Sequence, residues 1–366
     1  MIKGDKKMYR VGILTSGGDC QGLNAVIRAV AKSLYEEFDD EVEIYGIRNG
    51  YAGLIDGDIH KMSKSDFSGI LTLGGTILGT SRRPFKMMRV IDDVTGVDKV
   101  KNMKSNYKKF GLDCIVILGG NGTHKSAHML SEEGLNVVSL PKTIDNDVWG
   151  TDITFGFQSA CDIAVNVIDC IHTTATSHGR IFIVEVMGHK VGWLTLNAGI
   201  AGGADIILIP EIPYNIEKVA AVINKRETEG KRFSILAVAE GAISDRDAAL
   251  KKKDLKALRA NQHYPSAAYR VADELSEYIS NEIRVTVPGH FQRGGSPCAY
   301  DRVLCTRLGA AAARLIKEKH FGCMVGMING MTVPVPLFEV AGKLKQVPID
   351  SPLIRDAKDL GISFGD

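Results

Sequence analysis

The chain has 366 residues with 45 Lys and Arg against 43 Asp and Glu, a balance of +2 that offers no global attraction to nucleic acid or a membrane surface. With 45% hydrophobic and only 7% aromatic residues, it is too long for one small core and reads as one large or two medium α/β domains. Its seven cysteines include no C-x-x-C pair and are odd in number, which points to reduced thiols in a cytoplasmic protein rather than to a disulfide framework.

At the N-terminus, Lys3, Lys6 and Lys7 precede an apolar run of only Val11 to Leu14, far short of an export signal. No window approaches the ~20 apolar residues that span a bilayer. Tyr9 to Leu14 is the first expected strand. Thr15-Ser16-Gly17-Gly18-Asp19-Cys20-Gln21-Gly22 follows and enters a helix marked by Leu23, Val26, Ile27, Val30 and Leu34 at spacings of three and four. Such a loop is either a backbone nest for a phosphate, which its glycines let approach closely, or a plain βα turn. It matches neither the Walker pattern nor G-x-G-x-x-G.

Further short apolar runs follow at Val42 to Ile47, Cys114 to Leu118, Val137 to Leu140, Arg180 to Val186, Ile206 to Ile209, Ser234 to Ala239 and Glu282 to Val287. Helical patterns lie between and after them, including Phe157 to Ile171, Ser266 to Ile279 and Arg302 to Lys319. This alternation predicts parallel sheets of βαβ units, with ligands at the carboxyl ends of the strands. Lys251 to Arg259 reads as a solvated insertion.

The chemistry-bearing residues fall at those strand ends. Gly74 to Arg83 ends in adjacent Arg82 and Arg83, able to neutralise phosphate oxygens or to form a surface turn before Pro84. Leu118-Gly119-Gly120-Asn121-Gly122-Thr123 repeats the strand, glycine loop and helix order, and two such loops favour an extended polyphosphate. In Pro141-Lys142-Thr143-Ile144-Asp145-Asn146-Asp147, two carboxylates stand two residues apart. On an extended segment both would face one cleft, one taking a proton from a hydroxyl while its neighbour organises a metal ion; by itself the stretch reads equally as a turn. Arg180, then Met187-Gly188-His189, Glu240, Arg284, and His290-Phe291-Gln292-Arg293 suit a phosphorylated polar substrate, with capping or ion pairing the alternative for each. His124 and His128 lie four apart but lack the glutamate of a zinc motif, and are expected on the surface or lining a phosphate.

Taken in order, TSGGD, GGNGT, PKTIDND, SHGRIFIVEVMG and PGHFQRGG make the chain resemble the 6-phosphofructokinases over almost its full length. That resemblance implies two Rossmann-like three-layer αβα domains with mainly parallel sheets and an active site in the cleft between them. Residues 1–156 with 292–342 would be the phosphoryl-donor domain, 157–291 the sugar-phosphate domain, and 343–366 a C-terminal segment. It implies transfer of the terminal phosphate of ATP to the 1-hydroxyl of fructose 6-phosphate in glycolysis, with Mg²⁺. By this correspondence Asp145 is the catalytic base, with Thr143 and Asp147 beside the substrate and metal-phosphate region. Ile144, Met187, Gly188, His189, Glu240, His290, Phe291, Gln292 and Arg293 belong to the sugar-phosphate site. Arg180 and Arg284 reach across from a neighbouring subunit of a homodimer or homotetramer, Arg180 also being a catalytic residue that assists charge development at the transferring group, and Gly18, Tyr51, Arg82, Arg83 and Gly120 to Thr123 surround the nucleotide.

Three features, bearing on the metal, the donor and regulation, limit how far the family pattern carries over. Asn121 replaces an aspartate associated with magnesium, leaving Asp147 and Asn121 as the only protein oxygens assigned to the metal. Gly122 implies ATP, because pyrophosphate users carry an aspartate there that crowds and repels the α-phosphate, whereas Lys142 resembles the pyrophosphate users. The glycine weighs more, which makes ATP the expected donor and a pyrophosphate-dependent enzyme the alternative. Arg28 and Lys32 resemble an effector phosphate site of regulated members, but they also fit the solvated face of the first helix. A catalytically silent regulatory subunit is a further alternative, opposed by retention of Asp145, Asp147, Arg180 and Arg293.

Overall fold

Eleven strands run in chain order among the described residues, which are 8–91, 96–261 and 264–366 of this computed structural model. They are β1 (Tyr9–Thr15), β2 (Val42–Ile47), β3 (Ile59–Met62), β4 (Cys114–Gly119), β5 (Val137–Pro141), β6 (Ile181–Val186), β7 (Ile206–Leu208), β8 (Ser234–Ala239), β9 (Ile283–Thr286), β10 (Cys323–Ile328) and β11 (Met331–Pro336). The chain divides into two units, one comprising residues up to Ser159 with Arg293–Leu344, the other Ala160–Gln292 with Lys345–Asp366. The last 22 residues therefore group with the second unit, and the division falls inside the helix Phe157–His178.

The first unit holds a seven-stranded sheet in the order β11-β10-β5-β4-β1-β2-β3, parallel except at its two edge pairs. Its central strands carry apolar side chains on both faces, as a sheet covered on both sides requires. Ile115 and Ile117 join a core with Leu54, Met103 and Leu130, while the alternating Cys114, Val116 and Leu118 are equally buried toward the opposite layer. In this unit the helices Leu23–Glu37 and Ala299–Lys317 pack together closely enough that a Cβ on Gly309 would stand 2.5 Å from the Ala29 Cβ. Glycine at 309 is what permits that contact.

Strand order decides where a ligand can sit. From β1 the chain proceeds outward to β2 and β3, then returns to place β4 on the other side of β1, so the order reverses between β1 and β4. A crevice opens outside the carboxyl ends of strands at such a reversal. The second unit is a four-stranded, wholly parallel sheet, β7-β8-β6-β9, with a core built on Ile183, Leu208, Leu236 and Val238.

Three strands were not anticipated. β3 is four residues long at an edge, β10 contains Gly326, and β11 carries Pro334 and Pro336, which an edge strand tolerates because its outer N–H groups need no partner. Lys251 to Arg259, expected as a solvated insertion, lies largely in the helix Lys252–Asn261.

The expectation of a surface or phosphate-lining His124 is corrected. Its ring is fully buried behind β5, with Nδ1 3.1 Å from the Ser139 hydroxyl. Burial, helped by the Lys142 ammonium, pushes the imidazole down to about 3. The unfolded chain therefore binds a proton that the folded one refuses, so stability is fully present above the ordinary histidine value near 6.5 and is lost as pH falls below it. Between pH 7 and 5 this residue should account for ~2 kcal/mol of lost stability. Urea unfolding across that range should show a shallower acid decline in His124→Gln by that amount; an unchanged slope would contradict the assignment.

Candidate active site

In the first unit the three central strands end level with one another, Thr15 pairing with Leu118 and Gly119 with Pro141, so their loops emerge side by side. The loop after β1 is held at several points: Ser16 N–H donates to the Leu118 carbonyl at 2.9 Å, Gly17 N–H to the Ser81 carbonyl at 3.1 Å, and the Thr80 hydroxyl to the Gly17 carbonyl at 2.7 Å. Its remaining carbonyl at Gly18 accepts from the Lys142 ammonium. Gly18 itself is ringed by guanidinium groups, since a Cβ there would lie 3.0 Å from Arg82 Nη2 and 3.1 Å from Arg293 Nη1. Arg293 is tied to the loop through the Asp19 carbonyl at 3.2 Å. Two like charges converging on a glycine-rich turn make a receptor for an anion, because only an anion relieves their repulsion.

Lys142 is 4% exposed. Burial lowers its ammonium from the usual lysine range; Cys20, Asp145 and Asp147 oppose the shift and Arg293 adds to it. The loop after β4 begins the helix Asn121–Glu132, whose first turn is supported from below. There Tyr51, with its ring in the core and only 1% exposed, donates to the Thr123 carbonyl at 2.9 Å, so it shapes the loop from beneath. Around Gly122 the space is open: a Cβ there would meet nothing within 4 Å.

The segment after β5 departs from the extended conformation expected of it. Asn146 has a φ of +52°, in the left-handed region, and its side chain accepts from Thr154 N–H at 3.1 Å and donates to the Asp152 carbonyl at 3.3 Å. Strand alternation therefore does not govern Asp145 and Asp147; a pinned turn does. Asp145 is half-buried, its N–H bonded to the Thr143 hydroxyl at 3.0 Å, and Ile144 is fully buried. Asp147 is buried beside Asn121, whose Nδ2 donates to the Asp147 carbonyl at 2.9 Å and to its Oδ2 at 3.1 Å. Asn121 Oδ1 and Asp147 Oδ1 are both buried without a hydrogen-bond partner. Orphaned oxygens on two side chains that are hydrogen-bonded to one another suit a hard cation that takes its other ligands from phosphates and water, as Mg²⁺ does. Among the described residues no group of three or more His, Cys, Asp or Glu could form a metal cage of its own.

The second unit presents a separate set at the carboxyl ends of the adjacent strands β6 and β8. Glu240 Oε1 accepts from Gly188 N–H at 3.3 Å and from His189 N–H at 2.5 Å, while Met187 N–H donates to Gln292 Oε1 at 3.1 Å. The two loops interlock: a Cβ on Gly241 would stand 2.3 Å from the His189 carbonyl oxygen. His189 has a φ of +53°. Gln292 is buried, whereas Phe291 is 80% exposed and His290 also faces solvent. Arg180 and Arg284 are elsewhere. They lie at the amino ends of β6 and β9, both ion-paired to Glu282. Arg83 is exposed, away from the loop contacts that Arg82 makes.

Residues 10–316 match the phosphofructokinase family model. The chain belongs to the phosphofructokinase family. It is similar to proteins named ATP-dependent 6-phosphofructokinase from Spirochaeta thermophila, 54% identical over 97% of both chains, and Propionibacterium freudenreichii, 48% identical over 98% of this chain and 99% of that one. Among solved structures, the phosphofructokinase of Saccharomyces cerevisiae superposes with a TM-score of 0.77 at 32% identity, covering 91% of this chain and 45% of the longer yeast chain. A pyrophosphate-dependent phosphofructokinase from Marinobacter aquaeolei gives 0.79 at 20% identity, over 97% of this chain and 92% of that one, a likeness of fold.

Sequence reasoning missed the residues that hold the phosphofructokinase loops in place. Thr80 and Thr154 act through hydroxyl bonds to main-chain carbonyls, and buried Asp301 takes Gly156 N–H, Ser159 N–H and the Ser159 hydroxyl at the start of the helix Phe157–His178. Nothing in their spacing signals this, because each partner is distant in the chain.

The Asn121–Asp147 contact makes a testable point. Asn121→Asp would exchange two donated hydrogen bonds for a second carboxylate against the first, costing about 1–3 kcal/mol without divalent cation. Thermal melts should show a lower Tm in chelator and a larger Mg²⁺-dependent rise than in the parent; identical Mg²⁺ responses would remove this pair from the metal region.

Proposed function

We propose that this protein transfers the terminal phosphate of ATP to the 1-hydroxyl of fructose 6-phosphate, yielding fructose 1,6-bisphosphate and ADP, as a cytoplasmic glycolytic enzyme. The observation that carries this reading is the grouping of Asp145 with two glycine loops where the strand order of the first sheet reverses. Phosphoryl transfer asks little covalent help and depends on alignment and charge neutralisation. Asp145 accepts the proton of the attacking hydroxyl, with its backbone fixed by Thr143 and the pinned Asn146 turn. Arg82 and Arg293, drawn together at Gly18, balance charge on the donor phosphates. Asp147 and Asn121 would hold Mg²⁺ together with the donor phosphates, where it would supply further neutralisation. Glu240, Met187, Gly188, His189 and His290 receive the sugar phosphate.

Two features support ATP over pyrophosphate. Open space at Gly122 leaves room for the rest of the nucleotide beyond the transferred group. Lys142, the residue that suggests pyrophosphate, is engaged beneath the loop by the Gly18 carbonyl. The relatives from Spirochaeta thermophila and Propionibacterium freudenreichii carry ATP in their names.

Homo-oligomerisation is supported by the position of the two arginines. β6 places Arg180 and Met187 seven positions apart, about 23 Å at ~3.3 Å each. That exceeds the reach of a side chain, so Arg180 does not serve the Glu240 cluster of its own unit. It and Arg284 instead complete the sugar-phosphate site of a neighbouring subunit.

Product formation assayed with ATP and separately with pyrophosphate, each with Mg²⁺, tests the donor. Activity with ATP is expected, and activity with pyrophosphate alone would overturn the reading. In the same assay Gly122→Asp should raise the KM for ATP by about tenfold or more through crowding and repulsion, without unfolding a site whose Cβ position is open. Unchanged ATP kinetics would refute the steric argument.

Asp145→Ser should lower kcat by roughly 10²–10⁴-fold while fructose 6-phosphate still binds in calorimetry. Near-normal turnover would strip Asp145 of its role as base.

A further inference from the structure

Glu282 sits immediately before β9, and Arg180 immediately before β6; the two strands pair in parallel with Ile181 opposite Ile283, so the flanking residues are neighbours. A backbone bond from Ile181 N–H to the Glu282 carbonyl at 3.1 Å fixes that adjacency. Arg284, two residues along β9 from Glu282, shares its face of the strand. One carboxylate meets both guanidinium groups: Glu282 Oε2 takes Arg180 Nε and Oε1 takes Arg284 Nη2. Each arginine commits one nitrogen and keeps other donors for a second anion. The side chains remain 29%, 54% and 44% exposed for Arg180, Arg284 and Glu282, so the group is open to a ligand or to another chain.

Two guanidinium groups this close repel one another, and two long side chains at a sheet edge have many rotamers to lose on binding. A shared carboxylate answers both difficulties. It lowers the mutual repulsion and orders the pair before the ligand arrives, which raises affinity by removing an ordering cost from the binding step.

We propose that Glu282 is a positioning residue that splints Arg180 and Arg284 into one preorganised clamp for a phosphate monoester. This rests on the reading above, in which those arginines complete a neighbouring subunit's sugar-phosphate site. It adds a residue that touches neither the sugar phosphate nor the donor.

The test is steady-state kinetics of the full-length enzyme with fructose 6-phosphate and ATP varied separately, for Glu282→Gln, Glu282→Ala, Arg284→Ala and the double variant Glu282→Ala/Arg284→Ala. Glu282→Ala should raise the KM for fructose 6-phosphate roughly five- to tenfold while the KM for ATP moves less than twofold. Glu282→Gln, which keeps shape but loses charge, should fall between Ala and the parent, and the double variant should be little worse than Arg284→Ala alone because both changes disable one device. A merely structural role would move both KM values and the Tm together, and would overturn the proposal. So would an unchanged or lowered KM for fructose 6-phosphate in Glu282→Ala, the lowered value meaning that the carboxylate competes with the phosphate. If Arg284→Ala itself leaves that KM unchanged, the underlying reading of the arginines fails. If Arg284→Ala raises it and Glu282→Ala does not, the splint alone fails.

Discussion

The loops of the candidate site in the first unit depend on one constraint, the level ending of three parallel strands. With Thr15 opposite Leu118 and Gly119 opposite Pro141, a shift of one residue in either pairing would move a loop along the sheet by about 3.3 Å and turn its side chains to the wrong face. β4 and β5 are buried along their whole length and β1 from Val11 onward, so the strands that carry these loops lie inside the unit. The bonds from Ser16 N–H to Leu118 and from Lys142 N–H to the Gly119 carbonyl at 2.9 Å then carry the same register one residue beyond the strands. The loops inherit their geometry from the core.

Charge follows from this placement. Lys142, Arg82 and Arg293 gather at the Gly17-Gly18 turn after β1, while Asp145 and Asp147 follow β5, two strands away. A buried ammonium under a loop is expensive unless something accepts its hydrogen bonds, and here the Gly18 carbonyl does so. Asn121 fits the same balance. A third carboxylate against Asp147 would need a permanent counterion, whereas the amide donates to that carboxylate and still leaves an oxygen for a cation brought by the donor.

Much of the fold was legible because it is written in short apolar runs with strong periodicity. The central strands appear where β-branched runs predict them, while β3, β10 and β11 escaped because methionine, glycine and proline at sheet margins carry no clear period. The site was legible in its glycine loops, whose order along the chain mirrors their order at the strand ends. The disposition of its carboxylates was not. The alternation expected through Asp145 and Asp147 fails because Asn146 takes a left-handed conformation stabilised by Thr154 and Asp152, partners six and eight residues away. Tyr51 and His124 show the complementary limit, since a side chain near a loop in sequence can lie beneath it, and only packing reveals which.

The departures from ordinary folding rules gather at the strand ends that carry the chemistry. Asn146 and His189 hold positive φ angles, Lys142 is a buried cation, and Asn121 and Asp147 keep unpartnered oxygens. Each costs on the order of 1–3 kcal/mol, a penalty that relaxation would remove if the surroundings allowed it. They do not, because Gly119 backs onto Thr123, Gly241 onto His189, and Gly156 onto Cys20, with virtual Cβ contacts of 2.3, 2.3 and 2.5 Å that leave the loops no room to rearrange. Within each unit the close packing of the strands and the strain of the loops are thus linked, because each sheet holds the loops at its own strand ends in conformations they would not keep alone.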